Sequence, residues 1–180
     1  MRILHLIDSG GLYGAERMLL TLMERQLDAG HEPVLLSAGE PDQAPKAIEV
    51  EAEARGLELC AWRMKPRFNR TEAARILKWI HEQRFDVMHS HGYKFNVLLG
   101  TFSRRRRRIP FVTTLHGYIT GKPFERSWVY TQADKLILPR LDAVVMVSEG
   151  IRAKIPRLVA RKSTTRLIPN GIDLQAVRAQ

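Results

Sequence analysis

The sequence contains a single cysteine, Cys60, among 180 residues. One cysteine excludes a disulfide framework and a cysteine-based metal site. No apolar run reaches the roughly 18 residues that a membrane-spanning helix needs, and the N-terminus lacks a basic segment followed by an apolar leader. We therefore expect a cytoplasmic protein, with peripheral contact to the inner face of a membrane as a further option.

Two catalytic signatures are also missing from the sequence. There is no Asp-x-Asp pair, so a divalent cation that holds a diphosphate between paired carboxylates is not predicted. There is no Gly-x-Ser-x-Gly motif either, so acyl transfer has no obvious nucleophile. We expect neither a metal ion nor a resident cofactor.

Basic residues outnumber acidic ones, with 29 Lys and Arg against 19 Asp and Glu and a net charge of +10. This balance suits phosphorylated ligands, an anionic membrane or nucleic acid. The run Arg104–Arg108 is predicted to be a solvated loop that cannot be buried, with anionic-membrane contact as the alternative. Nucleic acid is disfavoured because no aromatic residues interleave the run.

Apolar segments that suit buried strands alternate with segments of helical periodicity. In the first unit, the run Ile3–Ile7 is followed by Gly10 and Gly11 and then by a helix that Gly30 stops. Later strands are predicted at 31–37, 57–62, 86–90, 111–115, 143–147 and 165–168, with helices at 46–55, 71–83 (N-cap Thr71), 93–103 and about 123–138. The alternation predicts a single α/β domain over residues 1–168, a Rossmann-like, doubly wound and mainly parallel sheet of about seven strands.

Ligands of such folds bind beyond the carboxyl ends of the strands. After the first strand, Gly10, Gly11 and Gly14 can adopt positive φ and let a ligand approach the backbone. The helix that follows presents unpaired N–H groups, which favour a phosphate. Arg17 would offset repulsion by Glu16. The alternative is a tight turn with no ligand.

Polar residues also follow the later strands, namely His89 and His91, His116 and Gly117, and Ser148 and Glu149. His116 is the strongest single candidate, because it follows an apolar strand and the adjacent glycine leaves room for a ligand. Its imidazole can donate or accept a hydrogen bond near neutral pH. The alternative is a histidine that only caps the strand end.

A metal site is not predicted from these histidines. His89 and His91 would need a third ligand, and His116 is the only obvious one, with no carboxylate or thiolate beside it. His5 is expected to be an ordinary strand residue.

Five short segments together resemble one family. They are GGLYGAER, DVMHSHGY, TLHGY, DAVVMVSEGI and IPNGID, and they occur in the order seen in N-terminal domains of retaining glycosyltransferases of family four. The resemblance covers nearly the whole chain. It implies the GT-B architecture, in which two Rossmann-like domains enclose the active site.

The resemblance also implies roles for individual residues. Gly10, Gly11, Gly14 and Arg17 would contact the diphosphate of a nucleotide-sugar donor, and His116 would contact the donor sugar as the catalytic residue. The cleft for donor and acceptor would include His91, Tyr93, Asn96, Gly117, Tyr118, Ser148 and Glu149. Residues 169–180, with Asn170 and Gly171, would begin the hinge. The acceptor would be a glycan or a lipid-linked glycan, and no metal ion would be needed.

The sequence ends where the family's second domain would begin. We therefore expect an N-terminal domain that is inactive without its C-terminal partner domain. The alternative is a non-catalytic Rossmann-like module that binds a phosphorylated or lipid-linked glycan or an anionic membrane. A nicotinamide-dependent enzyme is disfavoured, because Ser9 stands where the dinucleotide fingerprint has glycine.

Overall fold

The computed structural model describes residues 1–65, 69–117 and 126–171, the backbone alone at 126 and 127. Its strands are β1 (Arg2–Ile7), β2 (Glu32–Gly39), β3 (Glu58–Arg63), β4 (Val87–Ser90), β5 (Phe111–Leu115), β6 (Ala143–Met146) and β7 (Thr165–Leu167). They form one parallel sheet in the order β3-β2-β1-β4-β5-β6-β7. The predicted Rossmann-like, doubly wound fold is confirmed.

Helices connect these strands. They are α1 (Gly14–Asp28), α2 (Ala47–Ala54), α3 (Arg70–Glu82), α4 (Tyr93–Gly100), α5 (Arg104–Arg107), α6 (Arg126–Ile137), α7 (Glu149–Arg152) and α8 (Arg157–Ala160), with a 3-10 turn at Leu138–Arg140. No helix in the described ranges is both long enough and apolar enough to cross a membrane.

Two apolar clusters enclose the sheet and explain why β1 reads as an unbroken apolar run. Leu4 of β1 belongs to a cluster with Ile76 of α3 and other residues of α3 and α4. Ile7 belongs to a separate cluster with Leu19 of α1 and with residues of α2. A strand of a parallel sheet that is covered on both faces has no polar side to alternate with.

The N-cap of α3 differs from the prediction. The side chain of Asn69 accepts hydrogen bonds from the backbone N–H groups of Thr71 and Glu72, each at 3.1 Å. Asn69 is therefore the cap and the expectation for Thr71 was wrong, because an amide oxygen at position 69 reaches two of the free backbone donors of the first turn.

The arginine run also differs from the prediction of an unburied loop. It forms the single turn α5, and Arg107 is only 1% exposed. Its guanidinium donates to the carbonyl oxygens of Phe102 at 2.9 Å and Arg140 at 3.0 Å, and lies 3.5 Å from the carboxylate of Asp142. These acceptors partner the two terminal nitrogens of the guanidinium, whereas its buried Nε has no partner among the described residues. One of the five arginines has thus become part of the core.

The other arginines of the run lie on the surface. Arg104 pairs with Asp142 at 2.9 Å, and Arg105, Arg106 and Arg108 are exposed. Because the run precedes β5, it lies at the amino-end edge of the sheet, opposite the carboxyl ends where ligands of this fold bind. Membrane contact through the run stays a prediction.

We predict that Arg107→Ala lowers the free energy of unfolding by about 3 kcal/mol, since it leaves two carbonyl groups and a carboxylate without their buried partner. Arg105→Ala, at an exposed position of the same helical turn, is the matched control. It is expected to change the free energy of unfolding by less than about 0.5 kcal/mol. Urea denaturation of both variants measures the difference. Equal stability of the two variants would contradict a structural role for Arg107.

Candidate functional site

The carboxyl ends of three neighbouring strands, β1, β4 and β5, surround a cleft of about 250 Å³. Its lining residues are Asp8, His91, Gly92, Tyr93, Lys94, Phe95, Thr114, Leu115, His116, Gly117 and Asp134. The cleft lies where the strand order reverses, between β1 and β4, which is the usual ligand position in doubly wound sheets.

His116 follows β5 directly and borders this cleft. Its Nε2 atom lies 3.3 Å from Nδ1 of His91. Its Nδ1 atom is buried and has no hydrogen-bond partner among the described residues. Burial lowers the pKa of His116, although the nearby Glu16 carboxylate acts in the opposite direction. His116 is therefore a neutral ring with one nitrogen left for a ligand.

His116 is one member of a histidine cluster that also contains His5, His89 and His91. His5 and His89 are in register on the adjacent strands β1 and β4. Nδ1 of His5 lies 3.0 Å from Nε2 of His91, and Nε2 of His5 lies 2.7 Å from Oε1 of Gln26 on α1. Nε2 of His89 lies 2.7 Å from Oγ1 of Thr114 on β5. The cluster thus links three strands and a helix.

The rings of the cluster are neutral at physiological pH. Burial lowers the pKa of His5 to about 4. Burial, together with the neighbouring rings, lowers the pKa of His89 to about 3 and that of His91 well below its ordinary value. Neutral imidazoles can serve each other as donor and acceptor.

Ring nitrogens of His5, His89 and His91 lie within 4.8 Å of one another. His5 is therefore a second candidate, besides His116, for a third imidazole near His89 and His91. The sequence pointed to His116 alone. Both nitrogens of His5 are occupied by hydrogen bonds, to His91 and Gln26.

The loop after β1 is organised by its own side chains. The backbone N–H of Gly11 donates to Oγ of Ser9 at 3.1 Å, and the Ser9 hydroxyl donates to the buried Glu16 at 2.9 Å. The other carboxylate oxygen of Glu16 accepts from the N–H of Tyr13 at 3.0 Å. Glu16, in the first turn of α1, thus accepts from the N-cap backbone and places a negative charge at the helix N-terminus.

The glycines of this loop do not use the positive φ that the sequence suggested. The glycines with positive φ in the described residues are Gly30, Gly56 and Gly92, so Gly10, Gly11 and Gly14 are not among them. A Cβ at position 11 would meet the Tyr13 ring at 2.7 Å, while positions 10 and 14 have open space. Because Tyr13 is 69% exposed, its ring can move aside, and neither this contact nor its own dihedral angles require glycine at position 11.

Charged side chains surround the mouth of the cleft. Asp8, at the end of β1, accepts from Lys46 at 2.9 Å and from Lys94 at 2.8 Å. Burial acts to raise the pKa of Asp8, but the hydrogen bonds from the two lysines prevail and lower it. Arg17 is exposed on the first turn of α1. Two basic side chains, Lys46 and Lys94, thus lie at the carboxyl end of β1.

The structure brings only some of the predicted residues together at the cleft. His91, Tyr93, His116 and Gly117 line it. Asn96 does not, because it is fully buried: its Nδ2 donates to Asp134 at 2.8 Å, and its Oδ1 accepts from Ser90. The side chain of Asn96 is therefore buried between α4 and α6.

The remaining predicted residues lie outside the cleft. Ser148 and Glu149 are exposed after β6, and Glu149 pairs with Arg152 at 2.9 Å. Asn170 and Gly171 border a second cavity of about 380 Å³ beside α1. Tyr118 falls outside the described residues.

Sequence reasoning missed His5, Gln26, Asp8 and Lys94. His5 looked like an ordinary strand residue, and only the register of β1 against β4 reveals its neighbours. Gln26 lies more than three turns into α1, where a polar residue normally faces solvent. Asp8 carried a usable signal, since it follows a buried strand at the edge where ligands bind.

Comparison with known proteins gives a family match. The family model described as "Glycosyltransferase Family 4" matches residues 13–176. No curated protein matches the chain at a significant level.

Several solved structures share the fold. Anabaena Alr3699/HepE in complex with UDP has a TM-score of 0.75 and 20% identity, covering 97% of this chain and 45% of that one. UDP-GlcNAc 2-epimerase from Neisseria meningitidis bound to UDP-GlcNAc has a TM-score of 0.62 and 12% identity, and the match covers 94% of this chain and 47% of that one. An alpha-glucosyltransferase in complex with UDP and a 13-mer DNA containing a HMU base has a TM-score of 0.58 and 15% identity. The match covers 99% of this chain and 44% of that one. The chain spans less than half the length of each structure.

The neutral histidine cluster makes stability depend on pH. A histidine whose pKa is lower in the folded state binds fewer protons folded than unfolded, so its stabilisation is present above pH 6.5 and is lost as pH falls. With the pKa of His5 at about 4 and that of His89 at about 3, each ring contributes a drop of about 2 kcal/mol between pH 7 and pH 5. We therefore predict that the free energy of unfolding falls by at least about 4 kcal/mol over this range.

Urea titrations at several pH values measure this slope. His31→Gln, a substitution outside the cluster, should keep the slope, and His89→Asn should reduce it. A stability that stays constant between pH 7 and pH 5 in the unmodified chain would show that the cluster is not held neutral.

Proposed function

The chain belongs to glycosyltransferase family 4, and from this membership we propose that it forms the acceptor-side half of an enzyme that transfers a sugar from a nucleotide-sugar donor. Transfer proceeds with retention, without a metal ion, to a glycan or a lipid-linked acceptor. The observation that carries this proposal is His116, whose Nδ1 has no partner among the described residues and whose ring borders the cleft at the strand-order reversal.

The other half of the active site comes from a second domain. The chain covers 44% to 47% of the structures compared above, each of which is about twice its length. Residues 1–168 form the acceptor-side domain, and residues 169–180, beginning near Asn170 and Gly171, form the hinge. The isolated chain binds the donor weakly and has little transfer activity on its own.

His116 contacts the donor sugar. Its ring is neutral because burial lowers its pKa, so Nδ1 can hold a sugar hydroxyl by a hydrogen bond without introducing a charge. Such a bond positions the sugar ring against the acceptor and stabilises the transition state if it shortens there. His91 supports the ring from the inner side at 3.3 Å.

The loop after β1 receives the donor diphosphate. Backbone N–H groups of Gly10 and Gly14 and the guanidinium of Arg17 stabilise the charge that develops on the leaving group. Gly11, whose own N–H donates to Oγ of Ser9 at 3.1 Å, shapes the loop beside them. The buried Glu16 repels an anion less strongly than an unpaired carboxylate would, because the Ser9 hydroxyl and the Tyr13 N–H both donate to it.

The acceptor binds on the α4 side of the cleft. Tyr93 and Lys94, in the first turn of α4, line the cleft together with His91, and Lys94 reaches Asp8 at 2.8 Å. An aromatic face and an ammonium group suit a sugar ring and a phosphate or hydroxyl group. Gly117 lines the same cleft. Contacts of Tyr118, Ser148 and Glu149 with the donor or acceptor stay predictions for the whole enzyme.

We predict that His116→Ala, in the protein that includes its second domain, lowers kcat/KM at least about tenfold, a loss of about 1.4 kcal/mol of transition-state stabilisation. The assay measures release of nucleoside diphosphate from a panel of nucleotide sugars in the presence of glycan and lipid-linked acceptors. His31→Ala, on the loop before β2, is the control. Unchanged turnover in a folded His116→Ala variant would refute the role of His116.

A second substitution tests the diphosphate contact. Arg17→Ala removes an exposed charge near the loop after β1 and should raise the dissociation constant for UDP or another nucleoside diphosphate about fivefold, as expected for loss of a charge-assisted contact. Arg25→Ala removes an equally exposed arginine from the last turn of the same helix and should leave it unchanged. Calorimetric titration at low salt compares the two, and equal affinities would argue against a role for Arg17.

A further inference from the structure

A continuous chain of hydrogen bonds runs from α1 to the cleft through three rings. Oε1 of Gln26 lies 2.7 Å from Nε2 of His5, Nδ1 of His5 lies 3.0 Å from Nε2 of His91, and Nδ1 of His91 lies 3.3 Å from Nε2 of His116. The chain ends at Nδ1 of His116, which is buried and has no partner in the described part of the molecule. His5 is fully buried and His91 is 6% exposed.

The acceptor at the start of this series of hydrogen bonds, the Gln26 oxygen, determines which nitrogen of each ring carries the proton. A neutral imidazole carries one N–H and one lone pair. Because the Gln26 oxygen can only accept, His5 must donate from Nε2 and accept at Nδ1. His91 must then donate from Nε2 to His5 and accept at Nδ1, and His116 must donate from Nε2 to His91. The lone pair of His116 is left on Nδ1.

We propose that Gln26, His5 and His91 are positioning residues that hold His116 in the Nε2–H tautomer, with Nδ1 as a fixed acceptor for a hydroxyl group of the ligand. The tautomer itself is a property of the free chain. Only the identification of that hydroxyl as part of a sugar rests on the proposed function.

The opposite polarity is less favourable. It would require the amide nitrogen of Gln26 to face His5, and each ring would then carry its proton on Nδ1. The chain would end in a buried N–H of His116 without an acceptor among the described residues, and unpaired buried donors are rare in folded proteins. The observed orientation of Gln26 instead leaves an unpaired lone pair, which a ligand hydroxyl can satisfy.

The tautomers of His5 and His91 also stay unchanged when His116 takes up a second proton. A second proton on His116 can enter only at Nδ1, since Nε2 already donates to His91. It has no favourable path inward, because burial lowers the pKa of His5 to about 4 and that of His91 well below its ordinary value. The second proton of His116 therefore exchanges only through Nδ1.

Nuclear magnetic resonance of the 180-residue chain with 15N-labelled histidine tests the proposal without any donor. Long-range 1H–15N correlations distinguish the protonated from the bare nitrogen of each ring. At pH 7 we expect the Nε2–H form for His5, His91 and His116. A proton on Nδ1 of His116, or zinc bound stoichiometrically by the purified chain through these nitrogens, would overturn the proposal.

Variants of Gln26 supply matched controls, because this side chain lies partly exposed on α1 and its replacement spares the buried rings. Gln26→Leu removes the acceptor and should increase the Nδ1–H tautomer of His116 about tenfold, whereas Gln26→Glu keeps an acceptor and should preserve the Nε2–H form. His5→Asn, whose side-chain oxygen can replace Nδ1 as acceptor, should also preserve it. Identical His116 tautomers in Gln26→Leu and the unmodified chain would refute the coupling.

This test is separate from that of the proposed function. If the tautomer follows Gln26 but the longer protein transfers no sugar, the chain of hydrogen bonds stands and the assignment of the ligand fails. If transfer depends on His116 but its tautomer does not follow Gln26, the proposed function stands and the positioning role fails.

Discussion

The in-register parallel pairing of β1, β4 and β5 is the constraint on which the cleft depends. It sets His5 beside His89 within the sheet and brings the residues that follow β4 and β5, His91 and His116, to the same edge. A slip of one residue in β4 would turn its side chains to the other face of the sheet and separate these rings. The sheet register therefore determines both the core and the site.

Burial of the histidines ties stability to the geometry of the cleft. A polar ring inside a protein is costly unless it is hydrogen-bonded. Here His5, His91 and His116 bond to one another in series from Gln26, and His89 bonds separately to Thr114. Helix α1 consequently has two roles. Its apolar residues, such as Leu19, cover the sheet, and Gln26 on the same helix anchors the chain of rings that reaches His116.

The sequence was sufficient for the fold and for part of the site. Alternating apolar and helical segments predict the parallel sheet, and a histidine after an apolar strand predicts the position of His116, because both are local patterns. His5 and Arg107 could not be predicted, since their partners are distant in sequence and a buried polar residue looks like an exposed one until those partners are known. Asn96 was assigned to the cleft by the family resemblance alone, and its buried partner Asp134 is 38 residues away in the sequence.

The most direct measurement is a crystal structure of the protein with its second domain and an intact nucleotide sugar bound. The account predicts that a hydroxyl oxygen of the donor sugar lies about 3 Å from Nδ1 of His116, with the diphosphate beside the loop that contains Gly11. A donor sugar bound away from this cleft, or a His116 ring whose Nδ1 is bonded to the protein itself, would contradict it.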